Sequence, residues 1–254
     1  MNSFILVLPM AQIKKILLAK NGRKFYVRDA SKDYHTQFGF IGKKDLAKKE
    51  GSAVSSNTGE AFTILKPQFI DIYRRIKRDA QIISLKDIGI IIAETGINKS
   101  SRALDAGSGS GALACFLAHL VKEMVTYEIR DDFIKIVEAN KQFLNLKNLK
   151  IRKKDIYAEM DDKNLDLIIL DVPEPWKALD SAKKGLKPGG FLVSYSPSIP
   201  QTIDFVNAVI QGSDFAHLKT VEIIEREWQI EERRVRPKTK GIGHTGFLSF
   251  ARKI

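Results

Sequence analysis

A chain of 254 residues, 44% of them hydrophobic, has room for one large domain and a small one around an ample core. Its single cysteine, Cys115, excludes an intrachain disulfide and suits a reducing compartment. The net charge of +12 is unevenly spread: residues 1–78 hold sixteen Lys or Arg against six Asp or Glu, while 79–254 are nearly balanced. A basic N-terminal module beside a near-neutral remainder points to a polyanionic partner, nucleic acid first; a lysine-rich surface kept for solubility is the alternative.

The apolar run Phe4 to Leu8 is too short to span a bilayer and lacks the charged flank and cleavage site of a signal peptide, so the expected location is the cytoplasm. Met10 offers a second candidate start. Residues 12–66 have β character. Ile13 to Leu18 and Phe25 to Arg28 flank Asn21-Gly22, a strong hairpin signal. Short strands are expected near Phe38 to Ile41 and Glu60 to Leu65, and a basic helix over Gln68 to Arg78 after Pro67. Aromatics Phe25, Tyr26, Tyr34, Phe38 and Phe40 interleave with the basic residues, either to stack bases or to form the core of a small β module.

From Asp87 onward helices and strands alternate. Helices are expected at Asp87 to Thr95, Ala112 to Val121, Asp131 to Leu144, Trp176 to Lys184 and Thr202 to Gln211. Strands are expected at Arg102 to Ala106, Met124 to Ile129, Leu149 to Arg152, Leu165 to Leu170 and Phe191 to Tyr195, the last after a turn at Lys187 to Gly190. Such alternation makes a doubly wound parallel sheet. Leu165 to Leu170 is apolar without interruption, as a strand buried on both faces must be. Lys219 to Gln229 and Thr245 to Ala251, joined by a basic loop, add an antiparallel edge. The expected division is a small basic β-rich RNA-binding domain over 1–72 and an α/β domain over 73–254.

The strand at Arg102 to Ala106 drives into Gly107, Gly109 and Gly111, and an apolar helix follows. This is the opening of a nucleotide-binding βαβ unit, although G-x-G-x-G departs from the dinucleotide G-x-G-x-x-G. Glu128 ends the next strand, seventeen residues past Gly111, about where such a unit places an acid on a ribose diol. A diphosphate would profit from the usual third-glycine spacing. An acid in the first strand, Asp105, suits a zwitterionic amino acid better, so the site is read as binding S-adenosylmethionine. A second landmark is Asp171-Val172-Pro173-Glu174-Pro175-Trp176, directly after the buried strand, where open α/β sheets bind ligands. A carboxylate there can accept a hydrogen bond from a base's exocyclic amine; the alternative makes Asp171 a helix cap and Trp176 a packing residue. Val172 and Glu174 interrupt the Asp/Asn-Pro-Pro-aromatic pattern of enzymes that methylate that amine, which favours a ring nitrogen as target. Cys115 lies on the apolar helix and reads as packing, and no His/Cys cluster has metal-ligand spacing.

These segments together resemble the tRNA (adenine-N1)-methyltransferases of the TrmI type. The likeness rests on Asp105 to Leu113, Tyr127-Glu128, Asp171 to Trp176 and the tail Arg236-Pro237 to Gly243-His244-Thr245-Gly246-Phe247-Leu248, with Tyr34 to Gly39 and Glu50-Gly51-Ser52 in the N-terminal half. It implies a class I Rossmann-like S-adenosylmethionine methyltransferase domain with a small N-terminal β-rich domain, a homotetramer, and methylation of tRNA T-loop adenosine at position 58, with 57 added in archaeal members. It also implies cofactor contacts from Asp105, Gly107, Ser108, Gly109, Ser110, Gly111, Ala112, Leu113, Glu128, Asp155, Ile156 and Asp171, Asp171 being catalytic as well. Asp155 and Ile156 would meet the cofactor adenine. His244 is read as structural or as a subunit contact, in a tail lying beyond the sheet's active edge. In two places the chain departs from the family: Ser84-Leu85-Lys86-Asp87 stands where Tyr-Pro-Lys-Asp is frequent, and Asp105 where Glu is common. The rival readings are a methyltransferase for another RNA or a small-molecule nitrogen, and a non-catalytic tRNA-binding subunit. The first, if its target is a small molecule, leaves the basic module unexplained; the second has no use for intact glycines, Glu128 and Asp171.

Overall fold

The computed structural model describes residues 10–79, 81–158 and 160–254; the Phe4 to Leu8 run lies outside them. The chain forms two units. One runs up to Ile76 and takes in Gln142–Leu144; the other holds Lys77–Lys141 and Asn145–Ile254.

In the N-terminal unit, β1 (Lys15–Ala19) and β2 (Lys24–Val27) form the hairpin expected at Asn21-Gly22, with the Gly22 N–H on the Ala19 carbonyl. β3 (Tyr34–Thr36) and β4 (Gly39–Ile41) make a separate ribbon, followed by α1 (Lys43–Leu46). β5 (Ala53–Ser55) and β6 (Ala61–Leu65) complete an antiparallel sheet of order β2-β1-β6-β5. Leu17, Val27, Ile41, Phe62 and Ile64 are its buried core. Phe25 meets Phe62 edge-on at 5.6 Å and Phe38 at 6.0 Å, so these aromatics pack rather than offer themselves to bases. Tyr26 lies under the Arg75 guanidinium at 4.1 Å, and Phe40 is exposed. α2 (Phe69–Tyr73) stops well short of the expected Arg78. Past its end the Lys77 N–H donates to the Asn140 side chain instead of prolonging a helix.

The second unit begins with α3 (Leu85–Thr95), β7 (Arg102–Ala106), α4 (Ala112–Ala118), β8 (Glu123–Glu128) and α5 (Asp131–Phe143). β9 (Leu149–Lys153) and β10 (Leu165–Leu170) follow, then a 3₁₀ turn at Pro175–Ala178 that leads into α6 (Leu179–Gly185). β11 (Leu186–Ser196), α7 (Ile199–Gln211), β12 (Phe215–Glu222), β13 (Trp228–Glu231), β14 (Arg234–Pro237) and β15 (Phe247–Lys253) close the order. The sheet reads β12-β15-β11-β10-β7-β8-β9. Its five strands from β11 to β9 are parallel, and β15 runs antiparallel to both β11 and β12. From β7 the chain winds outward through β8 and β9, then returns to β10 and β11 on the other side. The reversal puts a topological switch point between β7 and β10, where such sheets bind ligands.

Two strands differ from expectation. β11 runs straight through Lys187 to Gly190, absorbing the turn as a register shift against β10 between Leu165 and Leu167. β12 ends at Glu222, because its partner β15 starts opposite it at Phe247 and nothing further along has a neighbour in the sheet. The residues beyond form their own β13–β14 hairpin inside the expected basic loop. Cys115 is buried on α4, with its thiol pushed up to about 12 by burial and the nearby Asp105, as a packing residue should be.

Candidate active site

The glycine loop is shaped by what touches it. Gly107 has φ +86°, and a Cβ there would meet the Asp171 carbonyl oxygen at 2.0 Å. Gly111 has φ +72°, and its Cβ would strike Val137 on α5 at 2.7 Å. Only glycine allows both the left-handed turn and the close approach of β7's end to β10's end.

Glu128 fastens this loop from the neighbouring strand. Its Oε2 accepts from the Gly109 N–H at 3.0 Å and, at a long 3.5 Å, from the Ser108 hydroxyl. Its Oε1 accepts the N–H groups of Ile129 and Arg130 at 2.9 and 3.0 Å. Three backbone donors fix the carboxylate in place, and the weakly engaged side of Oε2 is where an arriving hydroxyl can bond.

Beside the loop lies a cavity of about 160 Å³ whose lining includes Gly107, Glu128, Asp155, Ile156 and Asp171. Five of the expected site residues thus converge. Asp155 closes a turn by accepting the Tyr157 N–H at 2.9 Å, and Ile156 is buried as an apolar wall. The two cations on the rim are already spoken for: Arg130 pairs with Asp132 and Lys154 with Asp161. A wall of carboxylates with neutralised cations fits a phosphate-free nucleoside bearing a positive sulfonium, and disfavours a diphosphate. Ser108, Gly109, Ser110 and Gly111 form the loop itself, while Ala112 and Leu113 are buried at the start of α4.

Asp105 stands apart from that lining. Its carboxyl is 2% exposed and takes the Thr126 hydroxyl at 3.1 Å on the adjacent strand. Burial, reinforced by the charges of Asp171 and Glu128 and opposed by the Thr126 bond, lifts it to about 8. Asp171, at the end of β10, donates its N–H to the Ala106 carbonyl, and burial raises its carboxyl to about 7. It is no helix cap, since the following turn is preceded by Glu174 with no side-chain cap. The segment after it is braced by the Glu174 N–H on the Tyr157 hydroxyl at 3.0 Å and by Gln201 on the Pro173 carbonyl at 2.9 Å.

The tail corrects one expectation. Antiparallel pairing sets Phe247 against Ser196, so β15 starts at the carboxyl edge of β11, the rim that carries the site. Thr245 donates to Asp87 at 2.8 Å and accepts from Lys86 at 2.7 Å, while its carbonyl takes the Tyr195 hydroxyl at 2.5 Å. Asp87 is fully buried and also receives Ser84 and Lys86. His244 bridges Glu222 at 2.6 Å and the Pro197 carbonyl at 3.0 Å, and both acceptors raise its pKa. Its bonds tie the tail to Glu222 and Pro197. Sequence reasoning missed Asn140, whose amide binds the glycine loop, and the buried Asp87. A lone polar residue on a helix carries no signal of its partners, which are backbone groups for Asn140 and side chains for Asp87.

The switch-point cavity, the three-glycine loop and the acid on the second strand define a class I S-adenosylmethionine-dependent methyltransferase. Comparison with known proteins narrows this. Residues 73–236 match the family described as "tRNA methyltransferase complex GCD14 subunit", and the chain belongs to that family. It is 33% identical to tRNA (adenine(57)-N(1)/adenine(58)-N(1))-methyltransferase TrmI of Methanocaldococcus jannaschii, covering 94% of both chains. It also resembles the crystal structure of tRNA (m1A58) methyltransferase TrmI from Aquifex aeolicus, with a TM-score of 0.81, 26% identity, and 97% and 99% of the two chains covered. A Thermotoga maritima structure described as a SAM-dependent O-methyltransferase aligns with a TM-score of 0.85 at 28% identity, over 96% of this chain and 94% of that one. Among the described residues, no helix is long and apolar enough to cross a membrane, and no group of His, Cys, Asp or Glu could hold a metal ion.

Proposed function

We propose that the protein methylates N1 of adenosine in the tRNA T-loop, at position 58 and also at 57, using S-adenosylmethionine. The observation that carries this is Asp171: a carboxyl at the switch point, poised near 7, in the same cavity as the ribose-binding candidate Glu128. S-adenosylmethionine supplies an electrophilic methyl group, which adenine N1 takes through its lone pair as the carbon–sulfur bond breaks. Positive charge then grows on the adenine ring. Asp171 accepts a hydrogen bond from the exocyclic amine, aligns N1, and stabilises that charge more strongly as the bond forms. No proton need leave N1 beforehand, so the reaction asks for no general base. Glu128 takes a ribose hydroxyl, Asp155 and Ile156 bracket the cofactor's adenine, and the glycine loop faces its methionine end.

The basic N-terminal unit supplies phosphate contacts for tRNA, with exposed Lys43, Lys44, Lys48 and Lys49 clustered around α1. Reaching a T-loop base costs the unpairing of an elbow nucleotide, a few kcal/mol that these contacts offset. The β13–β14 hairpin displays Trp228, Ile230 and Val235 to solvent, a surface suited to assembly into the proposed homotetramer. A cytoplasmic site of action follows from the substrate. Mass spectrometry of nucleosides from one unmodified tRNA, incubated with protein and donor, tests the reading. 1-Methyladenosine at 57 or 58 is expected; methylation confined to an oxygen, or none at all, refutes it.

A further inference from the structure

Asn140 occupies an unusual position in the chain's path. The chain passes from the N-terminal unit into the methyltransferase unit at Ile76/Lys77, and α5 crosses back at Lys141/Gln142. Asn140 stands one residue before the second crossing and is bonded to the first. Its Oδ1 accepts the Lys77 N–H at 2.8 Å, and its Nδ2 donates to the Lys77 carbonyl at 2.9 Å. The same Nδ2 donates its other hydrogen to the Ser110 carbonyl in the glycine loop at 2.8 Å. A second link runs alongside, from the Asp79 N–H to the Ser110 hydroxyl at 2.9 Å. Ser110 sits between Gly109, held by Glu128, and Gly111, whose N–H closes the loop on the Ser108 carbonyl at 2.6 Å.

We propose that Asn140 is a positioning residue that couples tRNA engagement by the N-terminal unit to the shape, and hence the donor affinity, of the glycine loop. This rests on the function proposed above. The chemistry asks for an amide: among short side chains only Asn offers two donors and an acceptor in one plane. The side chain is fully buried, so no water replaces a broken bond. A displacement of Lys77 therefore cannot be absorbed locally; it moves Asn140 or breaks up to three bonds, and the loop follows. Because linkage is reciprocal, donor binding must change tRNA affinity by the factor with which tRNA changes donor affinity.

The test uses the full chain and titrates S-adenosylhomocysteine with and without a saturating unmodified tRNA transcript. In the wild type the two donor-site affinities should differ by about fivefold or more. Asn140→Asp has the same shape but sets an oxygen against the Lys77 and Ser110 carbonyls. It should weaken S-adenosylhomocysteine binding about tenfold, bring the ratio with and without tRNA close to one, and leave tRNA affinity without donor unchanged. Ser110→Ala, which removes the acceptor of the Asp79 N–H, should lower the ratio partway and serves if the Asp variant does not fold. A wild-type ratio of one, or an undiminished ratio in a folded variant, overturns the proposal. A wild type that transfers no methyl group to tRNA overturns the functional reading instead.

Discussion

Asp105 allows a quantitative test of how the site stores free energy. In the unfolded chain its carboxyl titrates near 3.8; in the folded chain it holds its proton up to about 8. Between those values the folded state binds more protons than the unfolded, so wild-type stability falls as pH rises through this window. Each pH unit in it costs about 1.4 kcal/mol. The stored cost is therefore roughly 2 kcal/mol at pH 5 and about 4 kcal/mol at pH 7, and it vanishes below the unfolded value. Asn at this position keeps an oxygen for the Thr126 hydroxyl and never ionises. It leaves its amide hydrogens without a partner, a penalty of about 1–3 kcal/mol that does not depend on pH. Asp171 acts in the same direction in both proteins and cancels to first order. Asp105→Asn should thus gain about 2–3 kcal/mol on the wild type between pH 5 and pH 7. Urea unfolding followed by tryptophan fluorescence reads the right unit, since Trp176 and Trp228 are the chain's two tryptophans and both lie in the methyltransferase unit. Parallel stability curves for the two proteins across that range would refute the assignment of a buried, protonated Asp105.

Asp171→Ala should lower kcat by about 10²–10³ with a smaller change in donor affinity, and Asp171→Asn should be severely slowed too. Because Asp171 must be ionised to act, wild-type kcat/KM should fall as pH drops below about 7; full activity in a folded Asp171→Ala protein would return the segment to packing. Glu128→Ala should weaken S-adenosylmethionine binding by about tenfold or more in isothermal titration, since it removes a hydroxyl acceptor and frees the Gly109 N–H. Normal binding would mean that the ribose lies elsewhere. Affinity for tRNA should fall steeply with salt, and substituting Lys43 and Lys44 by Gln should flatten that dependence by about one unit of slope per lost phosphate contact. An unchanged slope would remove α1 from the tRNA surface.

The parts of this structure that were legible in the sequence are those enforced locally. Three alternate glycines after an apolar strand can serve few purposes, and Leu165 to Leu170 permits no exposed face, so the glycine loop and a buried central strand could be read directly. Glu128 was singled out by its distance from the loop, and it bonds that loop at Gly109. What escaped depends on partners remote in sequence. Asp87 takes a hydrogen bond from Thr245, 158 residues away, and Asn140 is bonded to Lys77 and Ser110. β12 was misplaced because its extent is set by β15, not by its own pattern. The bond from the Thr126 hydroxyl to the buried Asp105 also lies between neighbouring strands, a pairing that no spacing encodes.

The placement of β15 has a consequence for how the molecule is made. This strand lies between β11 and β12, yet it is synthesised after both. While a nascent chain is still emerging, β11 presents an open edge and β12 has no neighbour in the sheet to pair with. The sheet is therefore finished only when the last strand threads into a slot left waiting for it. That same insertion brings Thr245 to Asp87 at the rim. Trimming the chain back to residue 246 would not shorten a tail but extract an inner stave, orphaning β12 and leaving a sticky edge on β11. Ribosome stalling or proteolysis near this point should yield insoluble protein rather than a slightly impaired enzyme.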